Sequence, residues 1–208
     1  RREFHQPVPQ PGADEVVIRV EASPLNPSDQ MTMVGPGDVA SARVESENSL
    51  PALEMDVPEA GLKRFAARIG TPLPIGNEGA GTVFSAGKGA EHLLGKTVAA
   101  LTGAMYARYC LVPAQMCMVM PSDVTAREAA SAFINPLTAL GMVETMRREG
   151  HKAIIHAAAA SNLGQMLNRV CIADGIDLVN IVRRQEQADI LLQQGAKYAL
   201  VSTDDDFH

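Results

Sequence analysis

The chain has 208 residues, of which 46% are hydrophobic and 20% charged, so it has enough apolar residues for a core and is not a disordered polyelectrolyte. Its 18 basic and 24 acidic residues give a net charge of −6, which argues against nucleic acid and anionic membranes as partners. It has no apolar run of the roughly 18–20 residues that span a membrane, and its three cysteines form no CxxC pair, which argues against a disulfide framework and a thiolate zinc site and favours a reducing, cytoplasmic location.

The first part of the chain has the pattern of short strands separated by glycine and proline. Four stretches are predicted as strands: residues 16–20, 79–84, 96–101 and 109–113. Such a set predicts a small barrel or sandwich. Met116, Met118 and Met120 alternate after the last of these stretches, which predicts one buried strand face.

The region between the first two strands has weaker signals. Pro24 and Pro27 predict a rigid loop over residues 23–29. Residues 35–60 are rich in glycine, proline, serine and glutamate, and we expect an excursion there. After it, four apolar residues at helical spacing predict a helix over residues 62–69: Leu62, Phe65, Ala66 and Ile69.

At Thr125 the pattern changes to an alternation of helices and strands. Thr125 and Glu128 form a capping box that opens a helix, and Asn135 before Pro136 predicts the N-cap of a second helix. The remaining segments are predicted as strand 152–156, helix 164–173, strand 177–182, helix 185–194 and strand 198–201. This alternation is typical of a parallel, doubly wound sheet. We therefore predict an α/β plus β protein, with a β domain over residues 1–124 and an α/β domain over residues 125–208.

The turn after the first strand of the α/β domain is a candidate dinucleotide site. Small residues there let the chain turn sharply and bring backbone amides at a helix N-terminus close to a pyrophosphate. The usual GxGxxG is reduced to Ala159-x-Ser161-x-x-Gly164, a pattern that packing alone also produces. The order of strand, turn, helix and second strand favours the cofactor interpretation. The candidate cofactor-binding residues are Ala159, Ser161, Asn162, Leu163 and Gly164.

Two arginines follow the second strand of this domain. An acidic residue at that point would bind the ribose hydroxyls of NAD, whereas Arg183 and Arg184 suit the 2′-phosphate of NADP. Solvated charges at a strand end are the alternative. We predict NADPH as the cofactor, with both arginines among its ligands.

Two other patterns are rejected. Gly89 and Gly95-Lys96-Thr97 resemble a P-loop, but five residues separate the two glycines where that motif has four, and a strand follows instead of a helix. His151 and His156 bracket a strand and point to opposite faces, so they are not a metal pair.

Residues 20–29 (VEASPLNPSD), 73–83 (LPIGNEGAGTV) and 133–139 (FINPLTA) are three further motifs. Together they resemble the medium-chain dehydrogenase/reductase superfamily, and most closely its zinc-free, quinone oxidoreductase-like branch. The resemblance extends over nearly the whole chain. It implies an N-terminal GroES-like β-barrel followed by a Rossmann dinucleotide-binding sheet, which is the same order of domains.

The resemblance also bears on zinc. Zinc alcohol dehydrogenases of this superfamily carry a cysteine in the first loop, a Gly-His-Glu and a further cysteine beside the cofactor. At the matching positions this chain has Asn26, Gly76-Asn77-Glu78 and Asn135. Amide side chains are poor zinc ligands, so the resemblance implies a site without a metal.

In the zinc-free branch, hydride passes from the nicotinamide to a quinone or another α,β-unsaturated carbonyl, and hydrogen-bond donors stabilise the oxyanion. The resemblance therefore implies an NADPH-dependent reductase of the quinone oxidoreductase type (EC 1.6.5). Tyr106 and Tyr109 are its candidate catalytic donors, although each tyrosine also fits as a strand residue of the barrel. Asn26 and Thr138 would position the substrate and the nicotinamide, and Asn135 would lie on the cofactor side.

Two other functions stay open: a non-catalytic NADPH-binding or sensor protein with this fold, and a relative of the zinc-type alcohol dehydrogenases. We expect a small-molecule substrate as the partner, and a homodimer is left open. A complete Rossmann domain of the family has six strands, whereas this sequence has three predicted strands after residue 125. We therefore expect the 208 residues to be a truncated piece that is inactive alone.

Overall fold

A computed structural model of the protein describes residues 7–47, 50–64, 66, 69–204 and 207. The chain forms two compact units, residues 1–132 and residues 133–208. Each unit has its own sheet and its own hydrophobic core. Within the described residues, no helix has both the length and the apolar character needed to cross a membrane.

The first unit is built on a five-stranded antiparallel sheet. Its elements in chain order are β1 (Glu15–Ala22), α1 (Pro27–Val34), β2 (Asp38–Glu47), β3 (Leu50–Asp56), α2 (Glu59–Arg64), β4 (Glu78–Ala86), β5 (Thr97–Leu101), β6 (Tyr109–Pro113), β7 (Cys117–Val119) and α3 (Ala126–Ala129). The strand order is β6-β1-β4-β5-β7, and β1, β4, β5 and β6 confirm the four predicted strands. Their inward side chains build the core, whose fully buried members include Val16, Ile18, Val98 and Val112.

The segment between β1 and β4 is more regular than predicted. The loop predicted over residues 23–29 ends at Asn26, because Pro27 is the first residue of α1. A proline fits the first turn of a helix, where its missing N–H would have no intrahelical acceptor. Asp29 supports this start, since its carboxylate accepts a hydrogen bond from the backbone N–H of Asn26. The loop prediction is therefore wrong from Pro27 onwards.

Where an excursion was expected, β2 and β3 form an antiparallel hairpin, which is a two-stranded sheet separate from the five-stranded one. Val39, Val44 and Leu53 of this hairpin are exposed. A strand is recognised in a sequence by alternating apolar and polar residues, a pattern that arises when one of its faces is buried. The hairpin lacks this pattern because its apolar residues face solvent.

The helix predicted over residues 62–69 corresponds only partly to α2, which begins earlier and ends at Arg64. Leu62 and Ile69 are exposed, so they do not form the buried helical face that their spacing predicts. Phe65 lies outside the described residues.

The methionine stripe is also corrected. Met116 ends a 3₁₀ turn before β7, and Met118 lies on β7, so the two do not share one strand. Both are exposed, and the predicted buried face does not form. Met105 is instead the fully buried methionine of this core.

The second unit alternates helices and strands as predicted. Its elements are α4 (Ile134–Arg148), β8 (Ala153–Ala157), α5 (Asn162–Asp174), β9 (Asp177–Val182), α6 (Gln185–Gln193) and β10 (Tyr198–Val201). β8, β9 and β10 are adjacent parallel strands, with α5 and α6 as the crossovers between them. The prediction of a parallel sheet in this part of the chain is confirmed, whereas its doubly wound arrangement, with helices on both faces, stays a prediction.

The two helix starts predicted near residues 125–136 have different outcomes. The Thr125 backbone N–H donates to Glu128 Oε2 at 2.9 Å, and Thr125 Oγ1 accepts from the Glu128 N–H at 3.3 Å, which confirms the capping box. α4 begins at Ile134, so Asn135 lies within its first turn and is not the N-cap. By this division α3 belongs to the first unit; the predicted boundary at residue 124 stays a prediction.

Helices cover one face of the parallel sheet. Leu178 of β9 packs with Leu167 of α5, and Val182 of β9 packs with Leu191 of α6. Alternate residues of a strand point to opposite faces, and on the other face Ile155 of β8 is 71% exposed. The helical face is therefore the one that holds the core of this unit.

Two neighbouring leucines of α6 test this packing. Leu191 is fully buried, whereas Leu192 is 46% exposed. We expect Leu191→Ala to lower the free energy of unfolding by about 2–5 kcal/mol through lost burial and a cavity, and Leu192→Ala to change it by about 0.5 kcal/mol or less. Urea unfolding of both variants measures this, and equal losses would contradict the described position of α6.

Candidate functional site

A buried polar cluster surrounds the start of α1. Asn26, Asp29 and Glu78 are 4%, 1% and 1% exposed. Polar groups at this depth are costly unless they are hydrogen-bonded. The cluster therefore depends on the pairing of its members, and that pairing determines which atoms remain for a ligand.

Asp29 joins two distant segments of the chain. Its Oδ2 accepts from the backbone N–H of Asn26 at 2.9 Å, and its Oδ1 accepts from the backbone N–H of Asn77 at 2.9 Å. Hydrogen bonds to an ionised carboxylate are about twice as strong as neutral ones. One side chain thus holds the first turn of α1 against the segment that leads into β4.

The side chains of Asn26 and Asn77 both act as donors in this cluster. Asn26 Nδ2 donates to Glu78 Oε1 at 2.9 Å, and Asn77 Nδ2 donates to Ser28 Oγ at 2.9 Å. The structure thus brings together residues from two of the sequence motifs, residues 20–29 and residues 73–83.

Tyr106 belongs to the same cluster. Its hydroxyl donates to the carbonyl of Pro24 at 2.8 Å. Burial raises the pKa of Tyr106, and the neighbouring Asp29 carboxylate raises that pKa further. The hydroxyl is therefore protonated at neutral pH and donates its hydrogen bond to the main-chain carbonyl of Pro24.

Tyr109 has different surroundings. Its ring lies edge-on to Phe84, with 5.1 Å between the ring centroids, on the side of the sheet opposite the buried Val83 and Cys110. Within the part of the chain that the structure describes, Tyr109 makes no hydrogen bond or ring contact with Asn26. The catalytic role predicted for Tyr109 stays a prediction.

The second unit contains the candidate cofactor turn. Ser161 is the N-cap of α5 and its Oγ accepts from the Gly164 N–H at 3.2 Å. A Cβ on Gly164 would lie 2.1 Å from the carbonyl oxygen of Ala159, so only glycine allows this approach of helix and turn. Asn162 and Leu163 occupy the first turn of α5, where backbone N–H groups lack intrahelical acceptors.

Arg183 and Arg184 lie at the same edge of the sheet as this turn. β8 and β9 are parallel, and Arg183 directly follows β9, so the turn after β8 and the two arginines share the carboxyl edge. The Ala159 N–H donates to the carbonyl of Ile181, which ties the turn to β9. Both arginine side chains are exposed.

Asn135 and Thr138 lie in the first turns of α4. Thr138 is exposed, and its hydroxyl donates to the carbonyl of Ile134 at 2.6 Å, which leaves its oxygen available as an acceptor. Asn135 is half-buried. Their predicted roles in positioning the nicotinamide stay predictions.

Sequence reasoning did not assign a role to Asp29 or Glu78, the two buried carboxylates of the cluster. A signal for Asp29 was present: an acidic residue three positions after Asn26 is the spacing of a capping box. In the described part of the chain, no three His, Cys, Asp or Glu side chains are grouped so that they could hold a metal ion.

A model of the alcohol dehydrogenase GroES-like domain matches residues 12–122. The chain belongs to this family. The GroES-like domain thus includes β1 to β7 and the whole Asn26 cluster. The resemblance to the medium-chain dehydrogenase/reductase superfamily, in its quinone oxidoreductase-like branch, is confirmed.

Relatives and solved structures extend the match beyond the GroES-like domain. A zinc-type alcohol dehydrogenase-like protein from Schizosaccharomyces pombe is 25% identical over 85% of this chain and 47% of its own length. A structure assigned as an NADPH:quinone reductase from Mesorhizobium loti is 28% identical, with a TM-score of 0.68, over 96% of this chain and 52% of that one. The mycobacterial protein Rv1454c, solved in complex with NADPH, is 25% identical, with a TM-score of 0.68, over 97% and 55%. The chain spans about half the length of these relatives.

Gly76 tests how tightly the cluster is built. Its φ is +94°, and an added Cβ would lie 2.4 Å from Tyr106 Cδ1, whereas Gly103, with a φ of +80°, has no atom within 4 Å of such a Cβ. We expect Gly103→Ala to cost about 1–2 kcal/mol for the backbone conformation alone, and Gly76→Ala to cost about 1–3 kcal/mol more because it also overpacks the site. Urea unfolding of both variants measures the difference. Equal costs would mean that Tyr106 does not pack on Gly76.

Proposed function

We propose that the chain is part of a zinc-independent, NADPH-dependent oxidoreductase that transfers hydride to a quinone or another α,β-unsaturated carbonyl. In this proposal the five-stranded sheet is the GroES-like barrel and the parallel sheet is part of a Rossmann domain. The observation that carries the proposal is the donor role of the Asn26 amide, which bonds Glu78 at 2.9 Å in the buried cluster. The resemblance to the zinc enzymes aligns a thiolate ligand with this position, and an amide nitrogen that donates a hydrogen bond cannot bind zinc.

The cofactor turn fits a dinucleotide. Gly164 gives the close approach that a pyrophosphate site needs, and the first-turn amides of α5 at Asn162 and Leu163 would bind its oxygens, with Ser161 and Ala159 shaping the turn. Bound NADPH would supply the hydride. On α4, Asn135 and Thr138 would contact its nicotinamide end.

The choice of NADPH over NADH rests on Arg183 and Arg184. Their guanidinium groups are exposed at the carboxyl edge of the sheet, where the adenosine ribose of a bound dinucleotide would lie. A guanidinium pairs with a phosphate through two parallel hydrogen bonds. The NADPH named for the two solved relatives supports the same cofactor.

Hydride addition to a quinone or enone leaves negative charge on the carbonyl oxygen, so the site needs a hydrogen-bond donor for it. Asn26 Nδ2 has a second N–H beyond the one given to Glu78. The Tyr106 hydroxyl has a single O–H, which already donates a hydrogen bond to the carbonyl of Pro24. We therefore assign the donor role to Asn26 and a loop-supporting role to Tyr106.

The function is tested with protein expressed from its complete reading frame. We expect NADPH oxidation in the presence of a panel of quinones and enones, unaffected by chelators and by added zinc. NADPH binding without turnover of any acceptor would favour the non-catalytic alternative. Alcohol oxidation that needs zinc would favour the zinc-type alternative, for which the relative from Schizosaccharomyces pombe is the supporting observation.

The cofactor preference has its own test. Hydrogen bonds to charged groups contribute roughly 1.5–3 kcal/mol, so the double substitution Arg183→Ala and Arg184→Ala should weaken NADPH binding by about 10- to 150-fold and leave NADH binding nearly unchanged. Raising the salt concentration should reduce the preference, because both side chains are exposed. Calorimetric titration of both cofactors measures this, with Arg169→Ala on the exposed side of α5 as the control. Equal losses for NADH and NADPH would contradict the assignment.

A further inference from the structure

We propose that Glu78 is a positioning residue that orients the side-chain amide of Asn26 for the substrate carbonyl. The inference rests on the proposed function, because it assigns a purpose to the donor that Asn26 would offer there. It concerns a residue that does not itself touch the substrate.

The two ends of an asparagine amide have nearly the same shape, so shape alone does not decide which end faces a neighbour. An ionised carboxylate only accepts hydrogen bonds. The 2.9 Å contact between Asn26 Nδ2 and Glu78 Oε1 therefore directs the nitrogen end of the amide towards Glu78. The contact lies in a buried cluster, where such a charge-assisted bond is little weakened by water.

Both residues are held on their own backbones. Glu78 is the first residue of β4 and pairs with Leu101 of β5, and its carbonyl accepts from the Ser23 hydroxyl. The backbone N–H of Asn26 is held by Asp29. The Asn26 side chain also lies in a capping box with the backbone N–H of Asp29, and the bond to Glu78 fixes the position of its nitrogen end.

A negative charge beside the donor also has an electrostatic cost, because it repels an oxyanion that forms nearby. The two effects of Glu78 therefore have opposite signs. If Glu78 acted only as a charge, removing the charge would raise kcat. If it acts by positioning, the same change lowers kcat, because a glutamine amide accepts less strongly than a carboxylate and holds the nitrogen end of Asn26 less firmly.

The kinetic test uses Glu78→Gln, which keeps the shape and removes the charge, in protein from the complete reading frame. Removing one preorganised donor typically costs 10²–10³-fold in kcat, so we expect about 100-fold for Asn26→Ala and about tenfold for Glu78→Gln, with the KM for NADPH unchanged. In a double-mutant cycle, adding Glu78→Gln to Asn26→Ala should have little further effect. Glu21→Gln is the matched control, since Glu21 bonds Thr82 and Arg19 in an exposed pair.

Unchanged or raised kcat in Glu78→Gln, or additive losses in the double variant, would overturn the proposal. A merely structural role of Glu78 would lower the free energy of unfolding but would leave the two losses in kcat additive. Urea unfolding of each variant accompanies the kinetics.

A second measurement does not depend on activity, and its first result comes from the wild type alone. In protein with ¹⁵N-labelled asparagine, one Nδ2 proton of wild-type Asn26 should lie downfield and exchange slowly with solvent, because it is bonded to a buried carboxylate. Rapid exchange of both Nδ2 protons would overturn the proposal without any substitution. If the slow proton is present and lost in Glu78→Gln while no acceptor is reduced by the wild type, the orientation of Asn26 stands and the proposed reaction is wrong.

Discussion

The Asp29 carboxylate is the constraint on which the rest of the first unit's site depends. A carboxylate that is 1% exposed must have its oxygens hydrogen-bonded, and here each oxygen accepts one backbone N–H, from Asn26 and from Asn77. Asn26 lies beside Asp29, whereas Asn77 lies 48 residues after Asp29 in the chain. Because the carboxylate fixes both main chains, the side chains that they carry meet in one place. The Asn26–Glu78 bond and the packing of Tyr106 on Gly76 are consequences of that meeting.

In the second unit, the candidate cofactor turn is held by close backbone packing instead of by a buried carboxylate. Gly164 approaches the Ala159 carbonyl more closely than any side chain would allow, and the Ala159 N–H bonds the end of β9. The N-terminus of α5 is therefore fixed at the carboxyl edge of the sheet, where parallel α/β proteins bind their ligands. This packing requires small residues, and small residues alone do not distinguish a cofactor turn from an ordinary turn in a sequence.

Prediction from the sequence succeeded for strands and helices that have one buried face, because their apolar residues then recur at the spacing of the strand or helix. The strands β1, β4, β5 and β6 and the alternation after Thr125 were predictable, because their apolar residues line a core. The β2–β3 hairpin was not, because Val44 and Leu53 face solvent. For the site, the motifs around Asn26 and Glu78 were both recognisable, but the bond between the two residues was not, because they lie 52 residues apart and only the register of β4 brings them together.

The coupling within the Asn26 cluster also has an evolutionary consequence. Replacing Asn26 by the cysteine that zinc enzymes carry would exchange a strong amide donor to Glu78 for a weak thiol donor. Replacing Asn77 by histidine would remove the bond to Ser28. Neither substitution alone assembles a metal site, and each disrupts an existing pair. A single substitution at either position thus removes a hydrogen bond without creating a metal site, so a change of the site towards metal binding needs several simultaneous replacements.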